Sequence, residues 1–400
     1  MPSVDVTFDL PAKIITGLSD GTFVRNGGVI QDKLGRVVMW LRETPGLDVQ
    51  PIPEPTSLAS QSLSFIGATS ALTLGVSILG FAVIHNKIKA LEGRLQEVQK
   101  GLEIIDQKID LSFYANFRAA LDLARNSFSM SDKENRHNSA LQAINRFLEA
   151  EHVYTDLLEQ ELDKGSSVCG DYILTLCLAY LAEVRCYLEL GEYETALRRF
   201  QESYPQISQY VSSYVDILLT DSPVIYLHPS LKDSISLSRL TKIYQWKDAS
   251  LNENEVFEII RPSLFGPIGS SFEEKVKALP SAVIEPWRVK KGFWGVSEEQ
   301  NGQGRKAAAS LRRVKKGLWG VSDEGMKAVF ERLPHAVGEM ERMIETFGRF
   351  SSYKYELALV SKTPVTFRQW EGLKPKQLNP GNAELMYIVP ANPISLELNS

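Results

Sequence analysis

The chain is 400 residues long, 44% hydrophobic and 23% charged, with a formal net charge of −5. That length suits two or three domains or one extended helical body, and the balance of apolar and charged residues is that of a folded protein. The negative balance argues against nucleic acid as the global partner.

The opening MPSVDVTFDL has no basic n-region and no early apolar core. It therefore does not read as a secretory signal, and synthesis and residence on the cytoplasmic side are the default expectation. Residues 1–43 read as a small β module. VDVTFDL alternates, and GGVIQDKLGRVVMWL holds two β-rich runs around a turn at Asp32 to Gly35. The module is too short to hold a large core alone and is expected to dock on a helical body. Pro45, Pro51, Pro53 and Pro55 make residues 44–56 a stiff linker.

Residues 57–112 then read as one helix with two characters. The run 65–84, FIGATSALTLGVSILGFAVI, holds thirteen Ala, Val, Ile, Leu or Phe among twenty residues, the rest being Gly, Ser and Thr. That is about the length of a membrane span. Thr69, Ser70, Thr73 and Ser77 place hydroxyls at helical spacing, while Gly67, Ala71 and Gly75 follow a small-xxx-small pattern that lets helices approach. Phe65, Gly67, Ala71, Thr73, Gly75, Ser77 and Phe81 are the candidate insertion residues. Three readings stay open: a permanent span, a helix sheltered in protein until triggered, and a core helix of a large helical domain.

Without a breaker, the run passes into Phe81, Ile84, Ile88, Leu91, Leu95, Val98, Leu102, Ile105 and Ile109, spaced alternately by three and four. This 3.5-residue period is a coiled-coil seam, and Ile84 to Ile109 are the candidate oligomerisation residues. Lys87, Arg94 and Lys108 fall at g, and Glu92 and Asp106 at e, an arrangement that attracts across a parallel pair of copies. Packing against other helices of the same chain is the competing explanation. Lys87, Lys89, Arg94 and Lys100 follow the apolar run closely, whereas only Arg42 precedes it nearby. If the run spans a bilayer, the C-terminal part is expected in the cytoplasm.

Residues 113–285 read as helical hairpins, with breaks near 129–138 and 164–170. Cys169, Cys177 and Cys186 lie in an apolar helical context with neither a CxxC step nor a partnering His, which reads as buried thiols in a reducing compartment. Residues 178–205 carry Tyr187, Gly191, Tyr193, Ala196, Phe200 and Pro205. At that spacing the segment resembles one tetratricopeptide-like hairpin, although Val184 stands where the pattern has a small residue. The resemblance implies helical-hairpin packing and, more remotely, a protein partner bound at the hairpins. No second copy is evident, and a solenoid needs at least three.

Residues 286–324 hold the one clear internal repeat, RVKKGFWGVSEE at 288–299 against RVKKGLWGVSDE at 313–324, identical at ten of twelve positions. Nine Lys or Arg face four Asp or Glu here, a local net of +5. Trp287, Lys290, Lys291, Trp294, Lys315, Lys316 and Trp319 are the candidate lipid contacts, since amphipathic rings beside lysines suit an anionic interface. A solvated duplicated loop is the plainer explanation, and stacking on single-stranded nucleic acid is the least favoured. Residues 325–400 read as a long helix followed by a strand, ELMYIVP, able to pair with the N-terminal hairpin.

No phosphate loop, dinucleotide fingerprint, zinc spacing or nucleophile elbow occurs, so the chain reads as non-enzymatic and without a cofactor. Glu134 with His137 and Glu149 with His152 have the Glu-x-x-His step of di-iron bundles, but matching glutamates on other helices are not evident, and surface or capping roles fit better. The fold class expected is mainly α: an elongated bundle of hairpins with one long hydrophobic-plus-coiled-coil helix and a small N-terminal β-hairpin module. In layout this is similar to α-helical pore-forming proteins. Lipid and other copies of the chain are the expected partners, in a membrane-perturbing effector or, alternatively, a single-span anchored scaffold.

Overall fold

The computed structural model describes residues 10–43, 84, 88–89, 91–93, 96, 112–261, 276, 279–284, 327, 329–371, 385–388 and 394. It is mainly α with a small antiparallel sheet, as the sequence pattern leads one to expect. The elements run α1 (Ala12–Ser19), β1 (Phe23–Asn26), β2 (Val29–Asp32), β3 (Val37–Glu43), α2 (Ser112–Ser127), α3 (Lys133–Asp163), α4 (Cys169–Leu190), α5 (Tyr193–Leu219), α6 (Leu237–Lys247), α7 (Glu253–Ile260), α8 (Ser281–Ile284), α9 (Leu333–Lys362), α10 (Phe367–Glu371) and β4 (Leu385–Ile388). Residues 84, 88–89, 91–93 and 96 are helical as well. The chain divides into two compact units, 2–156 with 171–208 and 345–400, and 157–170 with 209–344.

In the first unit the sheet order is β1-β2-β3-β4, every pair antiparallel. The turn expected at Asp32 to Gly35 forms as anticipated. Asp32 Oδ1 accepts from the Leu34 and Arg36 amides at 3.0 Å, and Gly35 turns at a φ of +73°. The hydrogen bond from Arg36 holds the Asp32 carboxyl below its ordinary range. The C-terminal strand also pairs as expected, with Trp40 opposite Ile388 and Glu43 opposite Leu385.

The module is more than a hairpin, because the sequence pattern missed α1 and β1. Pro11 is the N-cap of α1, and its carbonyl accepts from the Ile14 and Ile15 amides at 2.8 and 3.2 Å. Ile14 and Ile15 then pack with Leu10 on Ile30, Met39 and Leu41. Strand β3 is buried along Val37, Val38, Met39, Trp40 and Leu41. A run apolar at successive positions, rather than alternating, belongs to a strand covered on both faces. Trp40 meets Trp370 of α10 edge-on at 5.2 Å, which helps supply a second cover.

The β1–β2 turn is the point where the sheet meets α9. Gly27 has φ +55°, and a Cβ there would come within 2.1 Å of the Gly348 carbonyl. The Gly28 amide donates to Ser352 Oγ at 3.0 Å. Arg25 Nη1 donates to Glu345 Oε2 at 3.0 Å, and Arg349 Nε donates to Glu345 Oε1 at 2.7 Å. Burial alone would raise the Glu345 carboxyl, but the guanidiniums of Arg25 and Arg349 outweigh it and hold the group below its usual range.

Helix α4 is apolar on every side, and between Asp171 and Cys186 each residue is buried. A helix of that kind lies inside a bundle. Its C-terminus closes on Gly191 at φ +81°, where the Gly191 and Glu192 amides return to the Leu188 and Tyr187 carbonyls. Helix α5 then folds back, giving the hairpin that the tetratricopeptide-like pattern implies. Pro205 departs from that pattern, since it lies inside α5 and the helix runs on to Leu219. Cys169, Cys177 and Cys186 are buried and lie outside any disulfide, and burial pushes the thiols of Cys177 and Cys186 up, away from thiolate chemistry.

In the second unit, Gly165 at φ +60° ends α3, and its carbonyl accepts from the Ala282 amide at 2.9 Å and Ser281 Oγ at 2.8 Å. Arg239 of α6 donates through Nε and Nη2 to the two oxygens of Glu341 on α9 at 2.8 and 2.7 Å. A capping box between Asn252 and Glu255 starts α7.

The close approach at Gly27 makes a graded test. Gly27→Ala adds both a strained φ and a collision with the α9 backbone, for a loss of about 2–4 kcal/mol. Gly35→Ala has the strained φ but open space, for a loss of about 1 kcal/mol. Urea denaturation of both variants reads the difference, and equal midpoints would disprove the docking of the β1–β2 turn on α9.

Candidate functional site

The site begins where the apolar run meets the seam. Ile84, Ile88 and Leu91 are each fully buried, at 0% exposure, within the single chain. Their spacing of four and three puts them on one helix face, so one continuous cover removes all three from water. Glu92, at the e position next to this face, is salt-bridged to Arg118 of α2. A charge that could attract a second copy is therefore held by the chain's own body. Ile84, Ile88 and Leu91 are thus covered within the single chain.

The other candidates lie outside the described residues. These are Phe65, Gly67, Ala71, Thr73, Gly75, Ser77 and Phe81 of the insertion set, and Leu95, Val98, Leu102, Ile105 and Ile109 of the seam. The same holds for Trp287, Lys290, Lys291, Trp294, Lys315, Lys316 and Trp319 of the duplicated segment. Among the described residues no helix is long and apolar enough to cross a membrane. Also among them, no group of His, Cys, Asp and Glu is arranged to hold a metal ion. Glu134, His137, Glu149 and His152 are all exposed, and Glu149 pairs with Arg146 at 2.8 Å.

The α4–α5 hairpin carries a cluster that motif spacing does not reveal. Glu183 of α4 is fully buried and receives Arg199 of α5 through Nε at 2.7 Å and Nη2 at 3.1 Å. The same Nη2 reaches Glu151 Oε2 of α3 at 3.0 Å. Glu151 is 5% exposed, and its Oε1 is buried without a hydrogen-bond partner. Glu202 meets Arg199 from the exposed side and also accepts from Arg198 at 2.7 Å. Burial, followed by the charge of Glu183, pushes the Glu151 carboxyl up to about 9. The hydrogen bond to Glu183 raises the Arg199 guanidinium, so it stays charged. A signal was present in LAYLAEVRCYL: a lone Glu in a helix apolar on all sides must find a cation from another helix.

A second buried polar group links α2 to α4. Tyr114 Oη and Thr175 Oγ1 lie 3.0 Å apart, and the Tyr114 and Tyr154 rings meet edge-on at 5.2 Å. Near the end of α4, Arg185 pairs with Glu189 at 3.0 Å and lies over the Phe367 ring at 4.1 Å. A cleft of about 330 Å³ lies at the start of α3, lined by Phe128, Lys133, Arg136, His137, Glu189 and Leu190.

No protein-family model matches the chain, and neither a curated protein nor a solved structure is significantly similar to it.

If the chain itself covers the seam, truncation there must cost stability in the monomer. Ile88→Ala and Leu91→Ala are each expected to lose about 2–5 kcal/mol. The loss should not depend on protein concentration. A thermal midpoint that rises with concentration in the parent, and not in the variants, would instead assign the cover to a second copy.

Proposed function

We propose that the protein is a membrane-associating helical effector that keeps the entrance to its apolar segment docked on its own body, and inserts and self-assembles once that helix is freed. The supporting observation is the continuity between the charge-free run 65–84 and a seam whose first residues, Ile84, Ile88 and Leu91, are covered by the same chain.

Magnitudes favour a conditional process. Uncovering the three seam residues costs roughly 5–9 kcal/mol. Burying the nine Val, Ile, Leu and Phe residues between positions 65 and 83 in lipid returns only about 3–5 kcal/mol, before any cost of the hydroxyls and glycines. Insertion alone therefore loses to docking. Insertion together with reburial of the seam against other copies reverses the balance, which couples assembly to membrane entry. In this scheme Thr69, Thr73 and Ser77 turn toward neighbouring copies, and the cationic aromatic repeat contacts anionic headgroups. The work is binding rather than catalysis.

The alternative is a single-span anchored scaffold whose helical hairpins recruit a protein partner, with its C-terminal part in the cytoplasm. It shares membrane residence but not permeabilisation. Alkaline carbonate extraction combined with dye release from liposomes separates the two.

The docking itself can be locked. Glu92→Cys with Arg118→Cys, joined by a short bis-maleimide, holds the helix on α2, and the buried native thiols do not compete. The joined protein should neither bind liposomes nor release dye, whereas the singly capped protein should do both. Equal binding by both forms removes the sheltering step and leaves membrane association standing. Absence of binding by either form, and by the parent, removes the membrane proposal itself. Leu95→Asp with Leu102→Asp should abolish assembly and leakage, and unchanged leakage would rule out the coupling.

A further inference from the structure

The Glu151, Glu183 and Arg199 cluster does not balance as drawn with full charges. Two carboxylates, 5% and 0% exposed, share one guanidinium. Among the described residues, the charged and titratable groups around them sit on three helices. Glu151 comes from α3; Glu183, Cys186 and Tyr187 come from α4; Arg199, with Arg198 and Glu202 outside it, comes from α5. Glu202 is about half exposed and shared with Arg198, so its charge is largely screened and spoken for. The buried part carries one negative charge too many.

Hydrogen bonding points the same way. Glu151 Oε2 accepts from Arg199, leaving Oε1 buried against no donor. Glu151 Oε2 and Glu183 Oε2 both accept from Arg199 Nη2, at 3.0 and 3.1 Å, which brings the two carboxyls together. Two carboxylates are acceptors only, and such a contact becomes a bond when one of them is protonated. A single proton on Glu151 satisfies both deficits, because it removes the surplus charge and gives Oε1 a hydrogen to donate. The like-charge pair then has the form of two acids sharing one proton.

We propose that Glu151 and Glu183 share one buried proton that fastens the α4–α5 hairpin to α3, so that the hairpin is secured in neutral and acidic conditions and loosened in alkaline ones. The contact joins three helices with no covalent tie. Loss of the proton leaves a buried carboxylate without a counter-ion, in a place where water does not reach it. The device is independent of the membrane proposal and stands or falls without it.

The direction follows from linkage. The folded chain holds the Glu151 proton up to about pH 9, while an unfolded glutamate releases its proton near the ordinary value of about 4.3. The stabilisation is complete below the unfolded value and declines through the window between the two. One linked proton lowers the folding constant about tenfold per pH unit in that window. Buried tyrosines and the thiols of Cys177 and Cys186 also titrate high, so the quantity to read is a difference between variants.

Chemical denaturation of the full chain between pH 6 and pH 8 supplies that difference. Glu151→Gln keeps a neutral donor in place, and its folding constant should fall less steeply than the parent's by one proton, about tenfold per pH unit. Glu183→Gln leaves one carboxylate for one guanidinium and should flatten the slope in the same way. Infrared spectroscopy reads the proton directly on the parent protein. A protonated carboxyl stretch should be present at neutral pH, disappear as pH rises through the alkaline range, and be missing from Glu151→Gln. Parallel slopes in parent and Glu151→Gln, or no protonated carboxyl band in the parent at neutral pH, overturn the proposal. If neither variant folds, the infrared titration of the parent decides alone.

Discussion

Burying a charge inside a helical body forces some other part of the chain to be in a particular place. The fold of the first unit depends on that constraint at Glu345. This carboxylate of α9 is held by Arg349 one turn along the same helix and by Arg25 of β1, which is 320 residues away in sequence. Removing Arg25 from the site would leave a desolvated pair with altered balance, a state that costs several kcal/mol in a packed interior, roughly 3–5. The strand that carries Arg25 must therefore lie on α9. Once it does, the Gly27 turn, the Gly28 to Ser352 bond and the sheet order follow from geometry.

The two buried clusters of that unit have opposite imbalances. Around Glu345, two guanidiniums surround one carboxylate; around Arg199, two deeply buried carboxylates surround one guanidinium. The first depresses a carboxyl and the second raises one. Glu345 contributes stability above the ordinary glutamate range and loses it as acid protonates the group. Glu151 contributes it in acid and loses it with alkali. Stability is thus limited from both sides by different attachments: the β module is the acid-sensitive one and the α4–α5 hairpin the alkali-sensitive one.

Local chemistry was legible in the sequence wherever one segment carried the whole signal. The Asp32 to Gly35 turn needs only an aspartate that caps two amides and a glycine at positive φ. The break before Cys169, the hairpin at Gly191 and the buried cysteines are equally local, and the strand at 385–388 was legible in its own run, ELMYIVP. Strand β1 was missed, and two further features were hidden. Helix α1 is only eight residues long and is held by packing on Ile30, Met39 and Leu41, so its own pattern is too short to declare it. The Glu151, Glu183 and Arg199 site draws on three helices, and no spacing rule joins positions that meet only after packing. A proline suggests a helix end, yet the burial of Ile207, Val211, Tyr214 and Val215 beyond Pro205 carries the helix on.

The seam shows most plainly where sequence periodicity stops informing. An alternation of three and four states that one helix face must be covered, and it is silent about what covers it. For Ile84, Ile88 and Leu91 the cover is internal, and the Glu92 to Arg118 pair fixes the helix against α2. The apolar stripe needed for that docking is the same stripe a second copy would need. On the proposed function such a helix has competing covers: any condition that weakens the internal one raises the fraction of chains whose seam is free, and that free seam is proposed to be buried again against another copy or a bilayer. In the proposed scheme the stripe's stability in the docked form sets the threshold for assembly, so that residues strengthening the seam raise that threshold while they strengthen the assembly proposed to follow.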